Sequence, residues 1–503
     1  MIEKSNRLIG ILIACVLLAP AELLADLSVE TQSMSLRFSD QGSLLEAYVC
    51  YPDCRSDSAR HMRLSSDEGI VRFGQRLESR WVHRQGLETA NSKESRDSQG
   101  RNSLEQGAHQ HHFSDSSGQT ITWIVPDSGY LLEARVGQAG ESLATESRSL
   151  ELRAGEVFKP RPAPGFGGWL EQVRYVGIGQ DGVLQVGLDE EELTQLDVEW
   201  GGFRNRFWTA LVSGDEETVF EILTGEENSE AVLRRPLNQA SENFVFYLGP
   251  VEPTELAAAD EMLEEMLYAG LWFWLRWICF GLFYLLGLIQ SVIPVWGLAI
   301  MVLSVCVHVL MLPLSRIAER FQQQVNAIEA RLAPELSRIK KEYRGEEQAA
   351  KIIALYKTER VHPLYSLKSM LGVAVVIPVF IGAFDMLAEN IHLLNTGFLW
   401  IRDLSRPDAF ASLPFSLPFF GSELNLLPFL MTGLSVAASA FHSPLALTPE
   451  LRNKQVRNML LLAVAFFVLF YTFPAGMVLY WTTNNLISVS KSLGKKVFTR
   501  GKP

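Results

Sequence analysis

The residues best placed to do chemistry are polar side chains inside apolar segments of the C-terminal half. Ser304 and His308 lie one helical turn apart in one segment, and Thr432 and Ser435, with Ser439, repeat at helical spacing in another. The last apolar segment is interrupted by Thr482, Thr483, Asn484 and Asn485. Polar groups at membrane depth face a bundle interior or a wet cavity, and hydrogen bonding between helices is the alternative. The histidine and the asparagine pair favour a hydrated groove.

These residues do not form a covalent catalytic site. The sequence has no nucleophile–base pair, no glycine-rich phosphate loop and no spaced set of metal ligands. His109, His111 and His112 stand in a polar stretch, where we interpret them as solvated rather than metal-binding. We therefore expect a protein that is not an enzyme, with no catalytic residue, no cofactor and no metal.

Five apolar segments must position the polar residues, and the charge of their connections orients them. The loops Arg316–Lys368 and Ser443–Arg457 carry 11 and 3 basic residues against 7 and 1 acidic, and the tail Lys491–Pro503 carries 5 and none. By contrast, Asp26–Leu267 holds 21 basic and 42 acidic residues. Basic loops stay in the cytoplasm, so the acidic domain is predicted to be exported, and no DNA partner is expected. The predicted spans are Val295–Leu314, Met370–Leu387, Leu426–Phe441, Met459–Phe473 and Met477–Val489.

The last two predicted spans are short. Fifteen residues, as in Met459–Phe473, reach roughly 22 Å as a helix, whereas typical hydrocarbon is about 30 Å thick. The tight turn Phe473–Gly476 allows no slack between them. We expect polar ends to be drawn inward or the bilayer to thin locally.

Residues 254–294 connect the acidic domain to the first span. Thr254–Tyr268 is predicted to be an acidic helix. Gly270–Ile293 is apolar, and a second span directly before Val295 would reverse the charge rule. We therefore predict a helix in the outer interface, anchored by Trp272, Trp274, Trp277 and Arg276. A sixth span is the alternative.

The basic loop 316–362 is predicted to be a cytoplasmic helical hairpin. Its first half has apolar residues at steps of three or four: Phe321, Val325, Ile328, Leu332, Leu336, Ile339 and Tyr343. Pro334 is expected to kink this helix, and Arg344-Gly345 to form the turn. A plain solvated hairpin remains an alternative.

Residues 26–253 are predicted to form a β-sandwich. Short runs rich in aromatic and β-branched residues alternate with Gly, Asp, Asn and Ser clusters. The runs are Leu44–Val49, Thr120–Val125, Tyr130–Val136, Arg206–Val212, Thr218–Leu223 and Phe244–Leu248. The polar stretch Gly86–Gln110 is predicted to be a mobile loop.

Two features of the N-terminal half leave alternatives open. Residues 1–25 have basic residues before a short apolar run and small residues after it, which indicates an export signal; cleavage, retention as an anchor and lipidation all remain possible. Cys50 and Cys54 are spaced so that an oxidising compartment could close a disulfide, and the reduced pair is the alternative.

Several motifs together resemble the YidC family of membrane protein insertases, in its bacterial form with a large periplasmic domain. Trp200-Gly201 with Arg206-Phe207-Trp208, and Tyr247–Pro250, resemble its exported domain. Five more motifs resemble its membrane core: Trp296–Ile300, Met311–Leu314, Leu355–Leu364, Leu399–Leu404, and Phe473–Trp481 with Asn484-Asn485-Leu486.

The resemblance implies an inner-membrane protein that inserts and helps fold nascent inner-membrane proteins, alone or beside the Sec translocon, without nucleotide hydrolysis. In this family a groove open to cytoplasm and lipid receives the polar segment of the substrate. Here the groove would comprise Ser304, His308, Thr432, Ser435, Tyr480, Trp481, Asn484 and Asn485. The implied partners are nascent membrane proteins and lipids, with the Sec translocon and the ribosome as further expected partners.

One position departs from the family. The family has an arginine in the groove where this chain has His308, and a histidine of ordinary pKa near 6.5 is largely neutral at neutral pH. Arg316 and Arg320 are candidates to attract acidic substrate tails at the groove mouth. The departure keeps a second hypothesis open, a membrane assembly or scaffold paralogue without general insertase activity. A solute transporter is disfavoured because no internal repeat is visible.

Overall fold

The structure, a computed structural model, divides into two compact units, one of β-strands and one of helices. It describes residues 26–56, 59–66, 69–73, 82–86, 108–114, 118–138, 149–158, 163–188, 195–213, 219–223, 232–237, 239, 241–362, 367–441 and 449–500. The first unit comprises the chain up to Pro160 together with Val173–Met266. The second comprises Arg161–Gln172 and Leu267–Pro503, so a short segment from within the β-rich half belongs to the helical unit.

The β unit contains two antiparallel sheets of nine strands each. The first has the order β1-β2-β3-β5-β10-β17-β16-β13, with β4 paired to β3; the second has the order β12-β11-β14-β15-β18-β9-β8-β7-β6. The strands are β1 Leu27–Glu30, β2 Met34–Phe38, β3 Leu44–Tyr51, β4 Arg60–Ser65, β5 Val71–Phe73, β6 Val82–Gly86, β7 Ala108–Ser114, β8 Gln119–Pro126, β9 Leu131–Gln138, β10 Ser149–Arg153, β11 Arg174–Gly179, β12 Gly182–Gly187, β13 Gln195–Asp197, β14 Trp200–Arg204, β15 Trp208–Ser213, β16 Val219–Leu223, β17 Val232–Pro236 and β18 Ser241–Pro250.

Aromatic side chains from both sheets meet in the core of this unit. Phe38 and Phe73 of the first sheet contact Trp123 of the second, with ring centroids 5.2 and 5.9 Å apart. Phe246 of the second sheet lies 5.5 Å from Trp123, whose indole donates a hydrogen bond to the carbonyl of Gly42. Two sheets facing each other across a buried aromatic layer form a sandwich, as predicted.

All six runs predicted as strands are strands, namely β3, β8, β9, β15, β16 and β18. The predicted loop Gly86–Gln110 is wrong at both ends, because Gly86 ends β6 and Ala108 begins β7, and these strands pair with each other. The rest of that stretch, and the predicted signal at residues 1–25, lie outside the described residues. Cys50 and Cys54 form a disulfide with Cα atoms 5.0 Å apart, which decides between the two alternatives.

The predicted acidic helix Thr254–Tyr268 is instead two short elements, α2 (Pro253–Ala259) and a 3₁₀ turn (Glu261–Met266). Before them, α1 is a single turn, Gly155–Phe158. The break falls at Asp260, which is extended and whose carboxylate accepts hydrogen bonds from the Trp200 indole and the Met262 amide. Aspartate competes for backbone donors in this way, and therefore ends helices more often than it continues them.

The second unit contains the long helices and one small hairpin. The helices are α3 Phe273–Val292, α4 Trp296–Leu310, α5 Leu312–Glu342, α6 Gly345–Thr358, α7 Leu367–Ala388, α8 Leu427–Phe441, α9 Pro449–Phe470 and α10 Ala475–Arg500. Between α7 and α8 lie a 3₁₀ turn, Ile391–Leu393, and the hairpin of β19 (Ala411–Leu417) and β20 (Gly421–Leu424). A second 3₁₀ turn, Gly165–Trp169, comes from the short segment 161–172.

Each of the five predicted spans corresponds to a helix. The lengths and compositions of these helices do not by themselves fix how many of them cross the membrane. Among the described residues, α3 is long and apolar enough to cross a membrane, and α4 with α5 passes the same test as a pair bent by 55°. Ile377–Ala388, Leu427–Ala438 and Val456–Phe470 are shorter apolar helical stretches. The last two helices are 22 and 26 residues long, so they extend beyond their apolar parts into polar flanks.

The predicted hairpin is a pair of helices, α5 and α6, joined at Tyr343-Arg344. The longer helix runs through Pro334 without interruption, so the proline does not end it. Val325, Leu332 and Ile339 of the predicted stripe are buried. The cytoplasmic location of the hairpin and the interfacial location of α3 remain predictions.

Candidate functional site

The predicted groove residues lie on α10 and on two helices that pack against it, α4 and α8. Helix α10 contacts α4 on one side and α8 on another. It begins directly after the turn at Phe473-Pro474. The first two amides of the helix bind the loop before β19: Ala475 donates to the carbonyl of Arg406 (2.7 Å) and Gly476 to that of Leu404 (2.8 Å). The turn therefore fixes where α10 starts, and with it the register of its polar residues.

Two hydroxyl groups in this bundle are buried without a hydrogen-bond partner among the described residues. Ser304 of α4 is completely buried, and its Oγ has no partner. Thr432 of α8 is half-buried, but its Oγ1 atom is fully enclosed and also has no partner. A buried hydroxyl left unpaired costs about 1–3 kcal/mol. These two groups differ from Thr482 and Thr483 of α10, which donate to the carbonyls of Val478 and Leu479 four residues earlier.

His308 meets a residue that the sequence did not predict. The Nζ of Lys491, near the end of the apolar part of α10, is in hydrogen-bonding contact with the Nε2 of His308 on α4. A lysine ammonium only donates, so the contact places a cationic side chain directly beside the His308 imidazole.

Lys491 belongs to a polar stripe along one face of α10. Tyr480, Asn484 and Ser488 precede it at steps of four, four and three residues. Residues at such steps share one helix face. The sequence contains the signal for this stripe, because the spacing from Tyr480 to Asn484 continues for two more helical turns and reaches Lys491. Lys491 was predicted from the sequence only as part of the basic tail.

The other predicted groove residues of α8 and α10 point to different neighbours. Asn485 donates to the carbonyl of Met431 (3.0 Å) and so joins α10 to α8. Trp481 lies in an aromatic cluster with Phe380 of α7 and with Phe466 and Phe470 of α9, at centroid distances of 4.7 to 6.2 Å. Ser435 is half-buried. Trp481 therefore lies on the side of α10 that faces α7 and α9.

Arg316 and Arg320, predicted at the groove mouth, are exposed on the first turns of α5. This helix starts directly after α4 with a bend of 55°. Both arginines therefore lie beyond the bend that separates α5 from His308 on α4.

The three histidines considered as metal ligands, His109, His111 and His112, lie on β7 and pair with neighbours in the sheet. His109 faces Asp127 at 2.9 Å, His112 contacts the Thr122 hydroxyl at 2.8 Å, and His111 is buried. Within the described part of the chain, no group of three His, Cys, Asp or Glu side chains could hold a metal ion.

A helical membrane core joined to a β-sandwich is the arrangement expected of an inner-membrane protein with an exported domain. Residues 288–498 match the family described as "60Kd inner membrane protein". The relatives include proteins named "Membrane protein insertase YidC" from Marinomonas sp. (strain MWYL1), 34% identical over 257 residues, and from Herminiimonas arsenicoxydans, 32% identical over 255 residues. Each alignment covers 50% of this chain, and 41% and 42% of the relative, so the matched part spans less than half of those proteins.

The helical half of the chain is therefore similar to the YidC family, which supports the resemblance seen in its membrane-core motifs. A solved structure titled "Active YidC insertase crystal structure with the first transmembrane domain resolved" is 16% identical, with 98% of this chain and 99% of that chain covered and a TM-score of 0.35.

Proposed function

We propose that this protein is a membrane protein insertase and chaperone of the bacterial inner membrane. It admits polar segments of nascent inner-membrane proteins into a hydrated groove between α4, α8 and α10, and releases their apolar spans to lipid, alone or with the Sec translocon. The large β unit is periplasmic and the loops 316–362 and 443–457 are cytoplasmic, because their charges follow the positive-inside rule.

The observation that carries this proposal is the pair of buried, unpartnered hydroxyls on Ser304 and Thr432. In hydrocarbon such groups are costly, and a helix built for packing alone would bond them to its own carbonyls, as Thr482 and Thr483 do. The polar groups of a substrate segment, or water that precedes them, supply the missing partners. Ser304 is completely buried in this structure, so the groove opens by movement of α4 relative to α10.

The electrostatics of the groove rest on two residues rather than one. We propose that polarity at His308 suffices there, and that the permanent positive charge comes from Lys491 on the facing helix. Charge at this end of the groove, with Arg316 and Arg320 beyond it, favours acidic segments of the substrate during entry.

The test is rescue of bacterial cells depleted of their own insertase, with insertion of a reporter membrane protein as the readout. The wild-type chain should restore insertion; His308→Leu should impair it, and His308→Arg should be tolerated. Lys491→Met should impair insertion of acidic substrates most, and the charge-preserving Lys491→Arg is its matched control. Wild-type insertion by His308→Leu would contradict the groove assignment.

The same assay separates the alternative of a scaffold paralogue. That role needs the β unit and the hairpin but not the groove. A chain that fails to rescue insertion, yet co-purifies with membrane assemblies regardless of Ser304 or His308 substitution, would favour the scaffold.

A further inference from the structure

An uncharged aromatic surface lies at the end of the helices opposite their basic loops. It consists of residues 163–170 and residues 409–422 of the hairpin region, together called the aromatic platform. Gly167 donates its amide to the Thr472 hydroxyl at 3.0 Å, and Thr472 belongs to the turn between α9 and α10. Residues 163–170 and 409–422 contain no Asp, Glu, Lys or Arg.

The platform exposes large apolar side chains. Phe166 is 45% exposed, Trp169 58%, Phe415 57% and Phe419 43%. Every residue of the strand Ala411–Leu417 except Leu413 is exposed. A two-stranded hairpin whose longer strand, β19, carries no charge is an aggregation hazard in water, and apolar patches of this kind mark interaction sites.

The platform is continuous with the apolar outer surface of the helices. Ring contacts run from Phe166 to Phe419 (5.0 Å), from Phe419 to Phe420 (5.3 Å) and from Phe420 to Tyr471 (5.0 Å). Tyr471 then contacts Phe429 at the start of α8 (6.3 Å). Phe429 and its neighbour Leu430 are 49% and 43% exposed, so the exposed surface continues onto a helix face of the membrane core.

Hydrogen bonds from side chains to backbone carbonyls hold this surface to the helix ends. The Tyr471 hydroxyl donates to the carbonyl of Glu423 at 3.0 Å, and Asn425 donates its side-chain amide to the carbonyl of Tyr471 at 2.7 Å. The platform is therefore fixed at the ends of α8 and α9. Aromatic residues at the ends of membrane helices are typical of the boundary between headgroups and acyl chains.

We propose that the aromatic platform is a lipid-binding surface, immersed in the outer leaflet at the headgroup–acyl boundary. Its exposed rings lie among acyl chains, and the uncharged hairpin backbone meets the headgroups. Lipid is the occupant because the surface extends without a break onto the apolar face of the membrane helices. The proposal requires membrane insertion of this unit but not a substrate groove.

Spin labels in phospholipid nanodiscs test the immersion directly. The full-length chain, with Cys15→Ala, Cys279→Ala and Cys306→Ala and the Cys50–Cys54 disulfide intact, receives a nitroxide at Phe415→Cys or Trp169→Cys. Ser416→Cys, a nearly isosteric change, serves if a bulky replacement misfolds. Asp181→Cys, exposed at the β11–β12 turn, is the aqueous control. Leu462→Cys, 58% exposed on α9, is the lipid control.

We expect collisions with a water-soluble nickel chelate to be several-fold fewer at the platform than at Asp181, and collisions with oxygen to approach those at Leu462. Chelate access equal to that at Asp181 would overturn the proposal. Shielding from both reagents would also overturn it, because a protein partner or a second copy would then cover the surface. Either failure leaves the insertion assay of the proposed function unaffected.

Discussion

Gly167→Ala should undock the segment 163–170 from the helical unit. An added Cβ would lie 2.1 Å from the carbonyl oxygen of Thr472 and 3.0 Å from its carbon. Both are backbone atoms that cannot rotate away, so the segment must retreat by about 1 Å to reach normal contact. The amide of Gly167 would then lose its hydrogen bond to the Thr472 hydroxyl.

The two losses set the size of the effect. Overpacking costs about 1–3 kcal/mol, and a buried donor left without its partner costs about 1–3 kcal/mol. Together they lower the free energy of local opening by about 2–6 kcal/mol, which accelerates amide exchange in this segment about thirty-fold or more. Thr472→Val keeps the space and removes only the acceptor, so it should produce a smaller acceleration.

Hydrogen–deuterium exchange of the full chain in nanodiscs, followed on the peptide around Gly167, is the measurement. Gly281→Ala is the matched control, because nothing lies within 4 Å of its added Cβ. Exchange in Gly167→Ala that equals that of the wild type would refute the packing of this segment on Thr472.

Two further substitutions probe each unit separately. Glu151→Gln should lower the free energy of unfolding of the β unit by about 2–3 kcal/mol at neutral pH, because Glu151 accepts hydrogen bonds from Arg153 (2.8 Å) and from the partly exposed Arg234 (2.7 and 3.1 Å). Burial raises the pKa of Glu151, but the two arginines outweigh burial and hold that pKa below 4.5. The stability from Glu151 is therefore present above pH 4.5 and is lost as the pH falls through the folded-state pKa. Thermal unfolding of Glu151→Gln should lack this acid-dependent loss, and a variant with the pH profile of the wild type would contradict the prediction. Gly297→Ala should displace the start of α4, since its Cβ would lie 2.1 to 2.4 Å from the ring of Phe398; the melting temperature in detergent should drop, and Phe398→Ala should restore much of it, whereas failure of this rescue would contradict the contact.

The sequence predicted those strands and helices whose pattern is local. Six apolar β-rich runs are strands, and each apolar segment of the C-terminal half is a helix. Weaker patterns escaped. The strands β6 and β7, with His109 to His112, look like polar loop because their stability comes from pairing with each other and with β8. Such long-range pairing leaves no periodic apolar signal.

Tertiary partners also decided where elements end. Thr254–Tyr268 has helical periodicity, yet Asp260 stops the helix because Trp200, 60 residues away, donates to its carboxylate. The candidate site shows the same limit. Ser304 and Thr432 were identifiable as polar residues in apolar helices, but Lys491 became part of the site only when α10 was packed against α4.

Water access to Ser304 tests the central claim most directly. Ser304→Cys and the neighbouring Val305→Cys, 44% exposed on the same helix turn, are compared in membrane vesicles that hold the chain without Cys15, Cys279 and Cys306. Maleimides react with thiolates, which form in water and not in hydrocarbon. We predict rapid alkylation at Ser304→Cys, slowed by an engaged nascent chain, and little reaction at Val305→Cys. An unreactive thiol at Ser304→Cys under the same conditions would contradict a hydrated groove.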